Sequence, residues 1–203
     1  ITSTNSFPHI HDLHEFMDCI QFLLAKDGVF VIEAHYLIDL MNENAFDTIY
    51  HEHVSYWSVQ AIQNLLKMFT LEIFKVERLP IHHGQIRVWI KNKNSTRHII
   101  HPIVQNIIDS EKKFGLKNPT TFLDFKNKIK KNKINFIKTL EELLKKGNSI
   151  VGYGAPAKGN TLLTYFDINK DMINYICDKN KLKQNRFSPG QHIPIFSEKK
   201  ILE

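Results

Sequence analysis

The stretch Val151-Gly152-Tyr153-Gly154-Ala155-Pro156-Ala157-Lys158-Gly159-Asn160 follows an apolar strand signal and opens a helix. A second strand signal, Ile173-Asn174-Tyr175-Ile176-Cys177-Asp178, ends on an acid. Together they predict a β-loop-α-β unit whose glycines let a phosphate approach the backbone at a helix N-terminus. The unit is no P-loop, because the Gly-Lys-Ser/Thr order is absent. It is only a partial dinucleotide fingerprint, with Pro156 and Lys158 in the tight turn. The residues alone leave two readings open, a dinucleotide site and a phosphate cradle for another ligand. Just after the second strand, Lys181–Gly190 adds basic and amide groups that this topology turns toward the same crevice.

Working outward, the preceding segment reads as two helices, about 103–114 and 120–146, the second with apolar residues from Phe122 to Leu144 and a stop at Gly147-Asn148. Residues 92–97 are polar and read as a linker. Upstream, Asp12 to Leu24 has helical apolar spacing, and Gly28 is its expected C-cap. Val29–Glu33 reads as a strand buried on both faces. Ser58 is expected to cap a helix over Val59–Met68. Strand signals at Glu72–Arg78 and Gln85–Lys91 predict a hairpin. The order helix, strand, helix, antiparallel pair is that of the second half of a doubly wound α/β domain.

The 203 residues suffice for one large or two small domains, and 42% apolar content supports a packed core. Cys19 and Cys177 are too few for a disulfide framework, and their apolar contexts predict buried thiols in a reducing compartment. With no signal peptide and no apolar run of membrane-spanning length, the chain is expected to be cytoplasmic, with no membrane partner. The net charge of +6 is concentrated in Lys126–Lys133, on a helical pattern without interleaved aromatics. That is expected to be a solvated helix face, with no nucleic-acid partner. The chain begins at Ile1 without an initiator Met and stops at Glu203 just after the strand signal Ile193–Phe196, so a longer parent protein is expected.

Acid–base chemistry is suggested by Phe46-Asp47-Thr48-Ile49-Tyr50-His51-Glu52-His53. An imidazole accepts a proton near neutral pH, a carboxylate orients it, and a phenol stabilises an oxyanion. If extended, Tyr50 and Glu52 point to one side and His51 and His53 to the other. A zinc site competes for these residues, but nothing in the spacing supplies a further ligand, and no metal is assigned. His9, His11 and His14 form another group, with His11 and His14 expected on one helix face. His9 lies in a loop at the carboxyl end of a strand, where ligands bind in α/β sheets. His82, His83 and Arg87 sit at the hairpin, and Arg87 is a candidate phosphate partner.

Five stretches carry a resemblance: Asn5–Ile10, Phe46–His53, Arg78–Gly84, Val151–Asn160 and Lys183–Gly190. In that order the chain resembles the S-adenosylmethionine-dependent C-methyltransferases of nucleotide-linked sugars, such as the deoxysugar 3-C-methyltransferases. The resemblance implies residues 1–95 as the C-terminal half of a class I methyltransferase Rossmann-like domain. It implies residues 96–203 as a second Rossmann-like α/β domain, with a long helix, that binds the nucleotide sugar and is expected to be truncated. The zinc-binding domain and most of the S-adenosylmethionine site would lie upstream. By similarity, His53 is the base that forms an enolate next to a sugar ketone. Tyr50 and Glu52 assist it, and His9 supports the enolate oxygen. Asn5 would touch the sugar, and His82 and Arg87, from their place at the hairpin, are expected to contact substrate as well. Gly152, Gly154, Ala155, Lys158, Asn160, Lys183, Asn185 and Arg186 would hold the diphosphate and nucleotide. At the hairpin turn the family more often has His-Gly-Gly, and His83 replaces the first of those glycines, which would place strain there if the position needs φ > 0.

Two other readings compete. One is an NAD(P)-dependent oxidoreductase using Gly152, Gly154 and Gly159, with Asp178 on the ribose hydroxyls. The other is a non-catalytic phosphate- or nucleic-acid-binding module using the lysine-rich helix.

Overall fold

The structure is a computed structural model that describes residues 1–81 and 83–202. The chain divides into two compact units: Ile1–Ala45 with His51–Phe125, and Phe46–Tyr50 with Lys126 onward. The expected mixed α/β architecture is present in both.

In the first unit, β1 (Thr2–Thr4) lies parallel to β2 (Val29–His35). The hairpin of β3 (Leu71–Leu79) and β4 (Gln85–Asn92) continues the sheet antiparallel, in the order β1-β2-β4-β3. A bulge at Phe74 shifts the β3 register, and the freed Phe74 carbonyl accepts the His101 N–H at 2.8 Å. The helices are α1 (Leu13–Leu23), α2 (Leu37–Asn42), α3 (Val59–Leu66), α4 (Ile103–Phe114) and the start of α5 (Pro119–Lys145).

The sheet's two faces differ. Phe30, Ile32 and Ala34 of β2 and Ile86, Val88 and Ile90 of β4 are fully buried in one core with Phe7, Met17, Val59 and Ile62. The opposite face carries Glu33, Arg87, Glu77, Trp89 and Lys91, tied by ion pairs and cation–π contacts. The expectation of a β2 buried on both faces is therefore corrected. Burial alternates along it, because Val31 and His35 are only half-buried and Glu33 is covered by a charged partner.

Local capping explains the helix starts. Asp12 accepts from the Glu15 N–H at 3.0 Å, and the Ser58 hydroxyl accepts from the Ala61 N–H at 3.1 Å, as its sequence position predicts. A second, buried cap was invisible in the sequence. Glu111, 2% exposed on α4, accepts the Val59 and Gln60 N–H groups at 2.7 and 2.8 Å. Its charge sits at the positive end of α3. Burial, and then the Glu111 carboxylate, push the Tyr36 phenol well above its ordinary range. Replacing Glu111 with Leu would leave two buried donors unpaired, and a loss of about 3 kcal/mol is expected in urea unfolding. An unchanged midpoint would contradict this cap.

Three local expectations are corrected. Gly28 does not cap α1, which ends at Leu24 in extended conformation; the Gly28 N–H instead closes a tight turn on the Ala25 carbonyl at 2.8 Å. Cys19 is exposed, since it lies on the outer side of α1, whereas Cys177 is buried and its thiol is pushed up by desolvation. His11 precedes the first turn of α1, so it shares no helix face with His14.

In the second unit, β5 (Val151–Tyr153), β6 (Tyr175–Cys177) and β8 (Pro194–Phe196) run parallel, and β7 (Arg186–Phe187) closes the edge antiparallel, in the order β5-β6-β8-β7. The helix α6 (Ala157–Phe166) follows the glycine loop as predicted. Phe46 packs in this unit, stacked on Phe166 with ring centroids 5.3 Å apart. No helix among the described residues is long and apolar enough to cross a membrane.

Candidate functional site

The first unit gathers its chemistry where β1 and β2 end. After β1 the chain turns at Asn5, held at φ 54°, and enters a short 3-10 turn over Phe7–His9. Asn and His tolerate the left-handed region better than most residues. The segment 50–53 forms a bend and turn, so the two-sided arrangement that an extended run would give does not apply. The Val54 N–H donates to the Pro8 carbonyl at 3.0 Å, which ties the two loops together.

This tie brings three imidazoles together, with their rings tilted against one another. His53 lies with its ring centroid 4.9 Å from His9 and 5.2 Å from His35, and the Tyr56 ring is edge-on to it at 6.4 Å. His9 and His53 were expected to act together, and they meet. His35 and Tyr56 were not singled out from sequence. His35 was missed because the strand was ended at Glu33; alternation through Glu33 to the last residue of β2 would have placed it at the strand's carboxyl end.

His9 Nδ1 lies 2.7 Å from the Glu52 carbonyl oxygen. A carbonyl only accepts, so Nδ1 carries the proton and Nε2 is the nitrogen left for other partners. Glu52 thus enters the site by its backbone, and its side chain is exposed. Tyr50 packs with the second unit rather than the first. Asn5 is fixed from two sides: its N–H donates to the Glu33 carbonyl at 2.9 Å, and its Oδ1 accepts from Gln85 Nε2 at 2.7 Å.

At the hairpin, His82 lies outside the described residues. His83 has φ 66°, so the position does demand the left-handed region that the sequence comparison suggested. A pocket of about 430 Å³ is lined there by Asp39, Glu43, Arg78, Leu79, Pro80, His83 and Gly84. Arg78 pairs with Asp39 and lies over the Tyr36 ring. Arg87, the expected phosphate partner, faces Glu33 instead, with Nε and Nη2 each 2.8 Å from the same carboxylate oxygen.

In the second unit, Gly154 turns the chain at φ 87° after β5, and its N–H donates to the Cys177 carbonyl at 2.7 Å. Gly152 packs so closely on Ile176 that an added Cβ would meet Cγ1 at 3.0 Å. Asp178, at the end of β6, works inward. Its Oδ1 accepts the Asn180 N–H at 2.8 Å and its Oδ2 the Ala155 N–H at 2.7 Å. These two bonds, Asn180 first, hold the carboxyl below the usual carboxylate range. Lys183 reaches the loop, donating to the Ala155 carbonyl at 2.7 Å. Among the described residues the buried Asn160 Oδ1 has no partner, Lys158 is half-buried at the start of α6, and Asn185 and Arg186, at the start of β7, are exposed. The Asp178 carboxylate is thus committed to backbone amides rather than presented to ribose hydroxyls, which removes the main support for the oxidoreductase reading.

The comparisons with known proteins agree with this anatomy. Residues 80–203 match the family described as the C-methyltransferase C-terminal domain, and residues 1–76 match a methyltransferase domain family. The chain is 32% identical over 191 residues to the C-methyltransferase NovU of Streptomyces niveus, covering 94% of this chain. The chain belongs to the C-methyltransferase family. It spans 45% of that relative's length. The first family match ends within β3 and the second begins just after it. No group of three or more His, Cys, Asp or Glu among the described residues has metal-holding geometry.

The Asp178 bonds give a pH prediction. A depressed folded pKa contributes stability that is full above the unfolded value near 4 and is lost as pH falls through the lower folded value. Asp178→Asn is therefore expected to lower stability at pH 7 by about 1–3 kcal/mol. The gap between variant and parent should close in acid unfolding below about pH 4. A gap that is constant with pH would contradict the assignment.

Proposed function

We propose that the protein containing this chain moves a methyl group from S-adenosylmethionine to a ketone-adjacent carbon of a nucleotide-linked sugar, through an enolate. The observation that carries this reading is the cluster of His9, His53 and His35 at the carboxyl ends of parallel strands, in a chain of the C-methyltransferase family. S-adenosylmethionine, when bound, supplies an electrophilic methyl group; no residue of this chain is assigned to hold it, and its site is proposed to lie upstream.

The chain's own residues handle the proton and the oxygen. A C–H beside a carbonyl is acidified, and His53 takes that proton. The charge that develops on the carbonyl oxygen is met by His9 through Nε2, because the Glu52 carbonyl occupies Nδ1. That role requires a proton on both His9 nitrogens, so the pair works as a charged donor beside a neutral acceptor. Glu52 assists by holding His9 through its carbonyl, Tyr50 is proposed to hydrogen-bond the substrate, and Asn5 contacts the sugar. In the second unit Gly152, Gly154, Ala155, Lys158, Asn160, Lys183, Asn185 and Arg186 form the proposed cradle for the diphosphate and nucleotide. Residues 1–95 are the proposed methyltransferase half and residues 96–203 the proposed nucleotide-sugar domain. A zinc domain upstream and a cytoplasmic location belong to the same proposal.

Thermal unfolding of this chain with thymidine, guanosine, cytidine and uridine diphosphates and with NAD tests the cradle, because a ligand bound to the folded state raises the midpoint. A shift with one nucleoside diphosphate and none with NAD is expected. A shift with NAD alone would overturn the reading.

A further inference from the structure

At the end of the sheet stands a residue that neither the motifs nor the proposed mechanism uses. Gln85 opens β4, opposite His35 of β2 and Leu79 of β3. It is 0% exposed. Its Nε2 donates to Asn5 Oδ1 at 2.7 Å, while its Oε1 has no partner among the described residues. A buried unpaired amide oxygen lowers stability, and a methionine of similar volume would avoid that penalty. An amide kept in such a position has a role other than stability.

The bond to Asn5 supplies that role. Asn5 is exposed, sits at φ 54°, and has its backbone N–H tied to the Glu33 carbonyl. With Oδ1 engaged by Gln85 Nε2, the Nδ2 hydrogens of Asn5 are the groups left for a ligand. Asn5 is thereby made a fixed donor, beside the loop that carries His9.

We propose that Gln85 is a positioning residue: it locks the Asn5 amide so that Asn5 offers N–H donors, and so takes an acceptor oxygen of the substrate, a carbonyl or hydroxyl oxygen. The ligand part of this inference rests on the proposed sugar contact of Asn5; the lock itself does not. Holding a donor in place before binding removes an ordering cost and rejects a ligand that presents a donor there.

Three variants of the full-length protein separate the outcomes. Gln85→Met removes the lock at nearly constant volume. Gln85→Glu replaces the donor with an acceptor, so Asn5 must turn its Nδ2 inward and its oxygen outward. Asn5→Asp keeps the inner acceptor but removes the outward donors. Gln85→Met is expected to unfold at the parent temperature or above, with KM for the nucleotide sugar raised about tenfold and kcat lowered by less. Gln85→Glu and Asn5→Asp are expected to raise KM further, because each presents an oxygen to the substrate oxygen.

The lock is read independently of turnover by ¹⁵N relaxation of the Asn5 side-chain amide in the protein without substrate. It is expected to be rigid in the parent and mobile in Gln85→Met. A rigid parent amide with no KM change in any variant would overturn the substrate role and leave the lock standing. An Asn5 amide equally mobile in parent and Gln85→Met would overturn the inference whatever the turnover. A Gln85→Met variant that loses stability with KM unchanged would make Gln85 a structural residue and also overturn it.

Discussion

Replacing His53 with alanine in the full-length protein is expected to lower methyl transfer by about 10³-fold, within the range of a lost general base. The rings of His9 and His35 flank it at 4.9 and 5.2 Å, so its removal takes the centre from the cluster. Nucleoside diphosphate affinity, measured by calorimetry, is expected to stay within about twofold, because the proposed cradle lies in the second unit. Turnover near the parent rate would remove His53 from the base role. A parallel loss of nucleotide affinity would mean that the variant acts through folding rather than chemistry.

The second large effect concerns stability at the hairpin. Gly84 has φ 95°, and an added Cβ would overlap the Cβ, Cγ and Oδ2 of Asp39. Asp39 cannot yield freely, because its carboxylate pairs with Arg78, and the Gly84 carbonyl accepts the Tyr36 N–H at 3.2 Å. Gly84→Ala therefore combines left-handed backbone strain with a collision, and a loss of about 3–5 kcal/mol is expected in denaturant unfolding. Gly147→Ala is the control. Its φ is 80°, but nothing lies within 4 Å of the added Cβ. Only the backbone term remains there, about 1 kcal/mol. Equal losses at the two glycines would show that packing against Asp39 is unimportant.

What was legible in the sequence follows the range of the forces involved. Apolar period and capping chemistry act over a few residues, so α4, α5, the hairpin strands and the Ser58 cap stand close to where the pattern puts them. The β5-loop-α6 unit was equally plain, because glycines and a helix start sit side by side in the chain. Long-range partners left no such trace. Glu111 caps α3 from 52 residues away, Gln85 reaches Asn5 across 80, and Asp178 takes the Ala155 amide from a neighbouring strand. The conformation of residues 50–53 could not be read from the sequence for the same reason. Its turn is set by ties such as Val54 to Pro8, not by the propensity of Tyr-His-Glu-His. The Arg87 expectation failed on charge pairing. A strand arginine reads as an open cation until the register places Glu33 directly opposite it.

The measurement that bears most directly on the account is the fate of a ¹³C-labelled methyl group. The full-length protein is incubated with methyl-labelled S-adenosylmethionine and nucleotide-linked keto sugars, and the product is read by carbon NMR. The account predicts a label on the sugar carbon next to the ketone, and its disappearance in His53→Ala. A label on oxygen or nitrogen, or a labelled carbon that forms as fast without His53, would contradict it.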